Sequence, residues 1–334
     1  MKKRTGFTLV ELLVVIGIIA LLASILMPNL MNAQDSAKRA ACLANMHNAG
    51  LAIWMYTTQN NNMYPTCYNY VDGNASTGGY YHWTAAIDIT PYTADVTAMK
   101  YPHTSDEFVC PSHVPHGFAP TNFTTYNPVT NTGREINPPA GQIAQTATID
   151  DKQAARLSYT ANEILMPRKK YSPTHDAASP PGTSNLCYVS TGEVENIQRT
   201  ILLAEFSNSA NCIFGTSSGG GSTYKSHRPT NGVQNNGAVF DGENYALGGV
   251  FTKLTYAEAL TAINGALATP DTTGLMWDHI SYVEPNMHKT GSNYAFADGH
   301  AAKFGLADTV DPAQYMWGDK VYSCVDKPVI KDNP

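Results

Sequence analysis

The chain is short of charge. Asp, Glu, Lys and Arg make up 14% of its 334 residues, against roughly 25% in ordinary soluble domains. Beyond residue 6 it has no block of basic residues; Arg168 with Lys169 and Lys170 is too small a group and reads as a solvated turn. Nucleic-acid binding needs a basic patch, and the formal net charge is −6, which argues against that class. None of the six cysteines stands in a C-x-x-C pair, which argues against a zinc ribbon. The run Gly219-Gly220-Gly221 lacks the Lys-Ser/Thr ending of a phosphate-binding loop. No H-E-x-x-H string and no internal repeat occurs.

What is present begins with apolar mass. Hydrophobic residues form 43% of the chain, enough for a real core, and the length fits one or two domains. Residues 7–27 are 21 residues with a single charge, Glu11. As a helix this stretch rises about 31 Å, the thickness of a bilayer core. Lys2, Lys3 and Arg4 precede it, and basic flanks stay in the cytoplasm. The expected topology is a single pass through the inner membrane, N-terminus inside and body outside. Disulfides are permitted there, although the sequence does not say which of Cys42, Cys67, Cys110, Cys187, Cys212 and Cys324 would pair.

Three readings of this start compete. A secretory signal peptide also runs from basic to apolar, but this run is long and no clean A-x-A site follows. A plain membrane anchor gives no reason for Glu11, since a carboxylate inside the membrane costs about 2.5–3.5 kcal/mol on insertion scales. The third reading is a prepilin. The string Gly6-Phe7-Thr8-Leu9-Val10-Glu11 resembles the N-terminal signal of type IV prepilins and type II secretion pseudopilins. The resemblance implies a prepilin peptidase that cuts after Gly6 and N-methylates Phe7. It implies that Glu11 pairs with the charged N-terminus of a neighbouring subunit, and that Pro28 bends the helix at the end of the span. Loss of the first six residues would leave 18 basic against 27 acidic groups, a net charge of −9.

The helical pattern continues past Pro28. Leu43, Met46, Gly50, Ile53 and Thr57 recur at i+3 and i+4, so residues 28–58 form an amphipathic half that packs under a body. His47 on this helix reads as a surface or packed residue. From Tyr64-Pro65 onward, Pro, Gly, Asn and Thr punctuate the chain, which favours short strands and long loops. Residues 256–267 read as a helix and 150–157 as a short one. Residues 158–162 and 199–205 read as strands. Residues 293–297 alternate, then Asp298-Gly299 stands between two strand-like runs. That pair predicts a two-residue type I′ hairpin turn.

A second resemblance rests on this region. His288, nine intervening residues and Asp298-Gly299 are similar to the H-X9-DG motif, at 288–299, of a subgroup of prepilin-type proteins. The Phe108-Val109-Cys110-Pro111-Ser112, Tyr159-Thr160-Ala161-Asn162 and Leu202-Leu203-Ala204-Glu205 strings look like further landmarks of it. The same residues raise a metal question, since His288, Asp298 and His300 are ligand types. The commoner reading is a hairpin Asp supporting its turn with a His packed beside it. Major pseudopilins carry calcium in C-terminal loops; carried over, Asp308 with Asp311, or Asp241 with Glu243, offer oxygen ligands, though neither set fits an EF-hand. Aromatic pairs at His82-Trp83 and Trp277-Asp278-His279 are candidates for exposed, sugar-stacking loops.

The expected fold is α+β and pilin-like: a long N-terminal transmembrane and amphipathic helix packed on an antiparallel β-sheet with loop-rich insertions. The expected organisation is a leader at 1–6, a membrane half at 7–27, an amphipathic half at 28–58 and an extracytoplasmic body at 59–334. The expected role is a structural pilus or pseudopilus subunit with no catalytic residue and no cofactor, calcium apart. Its partners are prepilin peptidase, other pilin-type subunits and the inner membrane. The alternative is a membrane-tethered glycan-binding or glycan-active module that uses the signal for export.

Overall fold

The computed structural model describes residues 9–70, 79–87, 106–114, 116–124, 142–144, 146, 148–168, 188–216, 222–240, 249–271, 276–324 and 326–333. One helix dominates: α1, Leu9–Gln59, runs unbroken through Pro28. Its first half is built from Leu, Val, Ile and Ala, and every large apolar side chain from Leu9 to Met31 is exposed. Its second half buries Cys42, Met46, Ala49, Gly50, Ala52, Ile53 and Thr57. Full burial of a Met or Ile contributes roughly 1.5–3 kcal/mol. The helix stops where Asn61 and Asn62 turn left-handed, at φ 53° and 61°, a conformation that Asn tolerates better than most residues. The Asn62 N–H returns to the Thr57 carbonyl at 2.8 Å.

Among the described residues the body then lays down eleven short strands: β1 Tyr68–Tyr70, β2 Tyr80–His82, β3 Tyr159–Ala161, β4 Ile201–Glu205, β5 Phe214–Thr216, β6 Ser222–Tyr224, β7 Val233–Asn235, β8 Ala238–Val239, β9 Phe251–Lys253, β10 Ser292–Phe296 and β11 Ala301–Phe304. The central sheet has the order β11-β10-β4-β3, antiparallel throughout. The other strands form small two- and three-stranded sheets around it. Both central strands, β4 and β10, are buried along their whole length, so the sheet is covered on both faces.

Side-chain size divides those faces. Along β10, Tyr294 and Phe296 enter a core with Ile201, Ala204, Trp317 and the helix α2, Tyr256–Ala268. Ala295 and Ala297 enter the opposite core with Cys42, Met46 and Ile53 of α1. Small residues on that side let α1 come close. A Cβ at Gly50 would lie 3.0 Å from the Gly299 carbonyl oxygen and 3.4 Å from the Ala295 Cβ. The helix therefore rides over β10, β11 and the tip of their hairpin.

Helix α2 begins with a capping box. The Thr255 Oγ1 accepts from the Glu258 N–H at 3.3 Å, and the Glu258 carboxylate accepts from the Thr255 N–H at 2.8 Å. Two sequence expectations are corrected. Residues 150–157 are not helical: Lys152 bridges Tyr81 and Leu157 bridges Phe118, as extended backbone. The β10–β11 turn is not type I′. Gly299 has φ +89° while Asp298 is not among the positive-φ residues. The Gly299 N–H reaches Phe296 O at 2.9 Å and the Phe296 N–H reaches His300 O at 2.9 Å. That is a three-residue loop closed by a glycine bulge; the extra residue, Ala297, sends its apolar side chain into the core with α1.

Candidate functional site: a buried cluster beneath the N-terminal helix

Four chain segments meet where α1 crosses the central sheet. Helix α1 brings Cys42, and the Phe108-Val109-Cys110 turn brings Cys110; the two are disulfide-bonded across 68 residues. The Asn45 amide of α1 also donates to the Val109 carbonyl at 3.0 Å. Strand β4 ends on Glu205, and the loop before β10 brings His288. Cys42, Cys110 and Glu205 are fully buried, and His288 is 7% exposed.

Glu205 is the hub. Its Oε1 faces the His288 Nε2 at 3.0 Å and accepts from the Asn293 Nδ2 at 3.2 Å. Its Oε2 accepts from the Asn293 backbone N–H at 2.8 Å. A carboxylate is tolerable in a core only when its oxygens are paired in this way. The His288 Nε2 also stands 3.9 Å from the Cys110 Sγ. Tyr159 lies across from Glu205 in the β3–β4 register. Burial, and then the Glu205 charge, push its phenol well above its ordinary range.

The His288 loop is held from outside as well. Lys303 Nζ donates to the His288 carbonyl at 3.0 Å and to Thr290 Oγ1 at 2.7 Å. Lys289, at φ 67°, pairs with Asp35 of α1 at 2.7 Å. The hydrogen bond from Lys289 and its charge hold the Asp35 carboxyl below its usual value. A groove of about 320 Å³ opens here, lined by Asp35, Lys38, Arg39, Ser112, His288 and Lys289.

The residues singled out from the sequence divide in an informative way. His288 and the Asp298–His300 pair stand at opposite ends of β10, so the proposed metal trio is not assembled. Asp298 Oδ1 instead accepts from the His300 N–H at 3.1 Å and contacts its Nδ1 at 2.6 Å. His300 stacks flat on Phe296 at 4.4 Å. Asp308 and Asp311 are turn caps, accepting from the Gly305 and Ala313 N–H groups at 3.0 Å each. Asp241 and Glu243, like Gly6 and Phe7, lie outside the described residues. His47 is exposed.

The exposed-aromatic reading is corrected. His82 and Trp83 are core residues, and His279 is buried with its Nδ1 2.9 Å from Glu163 Oε1. Trp277 is half-buried and packs on Gly265 of α2. These side chains follow short turns whose direction no local pattern announces. Sequence reasoning also misses that Gly215-Thr216-Ser217-Ser218-Gly219 spells a G-x-S-x-G. Its context answers it: β5 and β6 on either side pair antiparallel, whereas a nucleophile elbow joins a strand to a helix. The Cys42–Cys110 pairing was likewise open from the sequence. Cys67 and Cys212 are buried thiols, and Cys324 is buried as well.

The comparisons with known proteins each cover a small part of the chain. Residues 1–27 match the prokaryotic N-terminal methylation motif. Over 61 residues the chain is 44% identical to the type IV wide pilus major component PilA4 of Thermus thermophilus, covering 18% of this chain and 47% of that protein. Over 66 residues it is 38% identical to the type II secretion system core protein G of Vibrio cholerae, covering 20% and 44%. Over 64 residues it is 41% identical to core protein G of Escherichia coli K12, covering 19% and 43%. The chain thus spans a little under half the length of these relatives. No solved structure matches it.

Proposed function

We propose that this chain is a filament-forming subunit of the pilin and pseudopilin type. On this reading prepilin peptidase cuts after Gly6 and methylates Phe7. The chain crosses the inner membrane once, with its N-terminus in the cytoplasm and its body outside. It then packs with other pilin-type subunits into a pilus or pseudopilus. The observation that carries the proposal is the division of α1. One continuous helix is wholly exposed and apolar over its first half and sewn into a folded body over its second.

An exposed apolar helix of this length is stable in lipid or against copies of itself. Either setting makes a carboxylate at Glu11 costly, by about 2.5–3.5 kcal/mol in a bilayer, unless a cation meets it. A neighbouring subunit's new N-terminal ammonium is such a cation, and the pairing fixes the stagger of the two helices. Pro28 marks the junction between the span and the half that belongs to the body.

The test uses Glu11→Ala in the intact chain. Membrane insertion persists, while subunit–subunit cross-links through the helix and sheared filaments disappear. Cross-linking at the level of the parent chain would reject the assembly role and leave a simple anchor.

A further inference from the structure

The cluster beneath α1 contains more chemistry than a disulfide requires. Apolar neighbours would cover a cystine well, yet a buried carboxylate and an imidazole are brought to its edge from two other segments. One ligand atom from each of Cys42, Cys110, Glu205 and His288 lies within 4.8 Å of all the others. We propose that in its dithiol form, the form in which the chain is synthesised, this cluster is a binding site for one zinc-class divalent cation. Cys42, Cys110, His288 and Glu205 are its ligands. Oxidation to the Cys42–Cys110 disulfide closes the site.

The distances fit such a site. Tetrahedral zinc with bonds of about 2.3 Å to sulfur and about 2.0–2.1 Å to nitrogen and oxygen sets its ligands about 3.8 Å apart for S···S, 3.6 Å for S···N and 3.4 Å for N···O. Here the His288 Nε2 is 3.9 Å from the Cys110 Sγ and 3.0 Å from the Glu205 Oε1. Once the S–S bond is open, shifts of a few tenths of an ångström complete the imidazole and carboxylate side of the shell. The hydrogen bonds that would orient the ligands are already in place. The Glu205 Oε2 is fixed by the Asn293 N–H at 2.8 Å, and outer partners of this kind orient metal ligands. The groove beside α1 reaches His288 from outside and supplies an entry path.

Two thiols lose their protons to solvent as the cation binds both sulfurs. The Nε2 proton of His288 moves to Nδ1 or to solvent, and a lone pair replaces it toward the metal. Oxidation removes two electrons from the pair of thiolates, which join as the disulfide and release the cation; the electrons, with two protons from solvent, reduce a disulfide-bearing oxidant to its dithiol. Both forms tie α1 to the body, one through a covalent bond and the other through a bond that a chelator can remove.

The experiment uses the full chain in detergent micelles. One sample is kept oxidised. The other is reduced with a water-soluble phosphine, which becomes the phosphine oxide while the sulfurs take up two electrons and two protons. Thiol titration against the Cys42→Ser/Cys110→Ser double variant, reduced in the same way, confirms that the Cys42–Cys110 bond has opened. Both samples are stripped with a chelator and titrated with cobalt(II), then with zinc. The proposal expects one cobalt per reduced chain, with a thiolate-to-metal charge-transfer band and tetrahedral d–d bands that zinc abolishes, and no such spectrum in the oxidised chain.

In His288→Ala the cobalt affinity falls by more than the ~10- to 100-fold that loss of an outer-shell partner costs. In the Cys42→Ser/Cys110→Ser double variant the spectrum is absent. A reduced chain that takes up no cobalt, whether or not it stays folded, overturns the proposal. So does a thiolate spectrum that survives the double variant, since the remaining cysteines would then be its source.

Discussion

Replacing Glu205 by Leu keeps roughly the shape of the side chain and removes the acceptor for three donors. The Asn293 N–H, Asn293 Nδ2 and His288 Nε2 lose partners at 2.8, 3.2 and 3.0 Å. All are buried, so water cannot replace the carboxylate. Removing one member of a buried, hydrogen-bonded ionic cluster costs about 3–5 kcal/mol, and orphaned donors at about 1–3 kcal/mol each give a similar range. His288→Leu in the same background removes one orphan, so the double variant should be more stable than additivity predicts by at least ~1.5 kcal/mol. Urea unfolding of the oxidised full chain in micelles, followed by tryptophan fluorescence, reads this; Trp83 and Trp317 are fully buried reporters. With a slope of ~3 kcal/mol/M the Glu205→Leu midpoint falls by about 1–1.7 M. A loss under ~1 kcal/mol, or additivity within ~0.5 kcal/mol, would refute the hub role of Glu205.

Three other expectations follow from the packing and the charges. Cys42→Ser opens a loop spanning 68 residues, which the chain-entropy model sets at about 4 kcal/mol; thermal melts of oxidised parent and variant should differ accordingly, and equal melting points would contradict it. Gly50→Val forces side-chain atoms toward the Gly299 carbonyl, already 3.0 Å from an added Cβ, at a cost of about 1–3 kcal/mol in overpacking. Limited proteolysis should then cut between α1 and the sheet, while resistance at the parent level would show that the hairpin tip gives way freely. Burial holds His113 down to about 4 and His82 to about 3, and lowers His227 as well. These imidazoles bind protons in the unfolded chain before the folded one does. Their stabilisation is therefore complete above about pH 6.5 and drains away as pH falls toward 3. Unfolding midpoints between pH 7 and 4 should decline, and His113→Gln should flatten the slope; a flat profile in the parent would contradict this.

Periodic features were legible in the sequence and convergent ones were not. Residues 7–58 carry helical spacing with few interruptions, and the face it marks is buried at Met46, Gly50, Ile53 and Thr57 and half-buried at Leu43. The strands at 199–205 and 293–297 and the helix at 256–267 also announce themselves by apolar runs or an Ala-rich stretch. Residues 150–157 misled because Ala and Gln favour helix locally, while their backbone groups are claimed by Phe118 and Tyr80 across the fold. Asp298-Gly299 marked a turn correctly, but the loop took one residue more, which carries Ala297 into the core with α1.

His288 and Asp298 were read as neighbours because they share one short string. A strand separates them, and their partners, Glu205 and His300, come from different distances along the chain. The Cys42–Cys110–Glu205–His288 cluster needs four segments spread over most of the sequence, so no spacing rule points to it. The strings around Cys110, Tyr159 and Glu205 stood out separately; the β3–β4 register brings Tyr159 to Glu205, and the bond from the Ser158 N–H to the Phe108 carbonyl, at 2.8 Å, brings the Cys110 segment beside them.

The filament account is tested most directly by the mass of the N-terminal peptide from chain purified out of its native membrane. It predicts a chain that starts at Phe7 and carries one N-methyl group. A chain that still starts at Met1, or that starts at any residue other than a methylated Phe7, would contradict it.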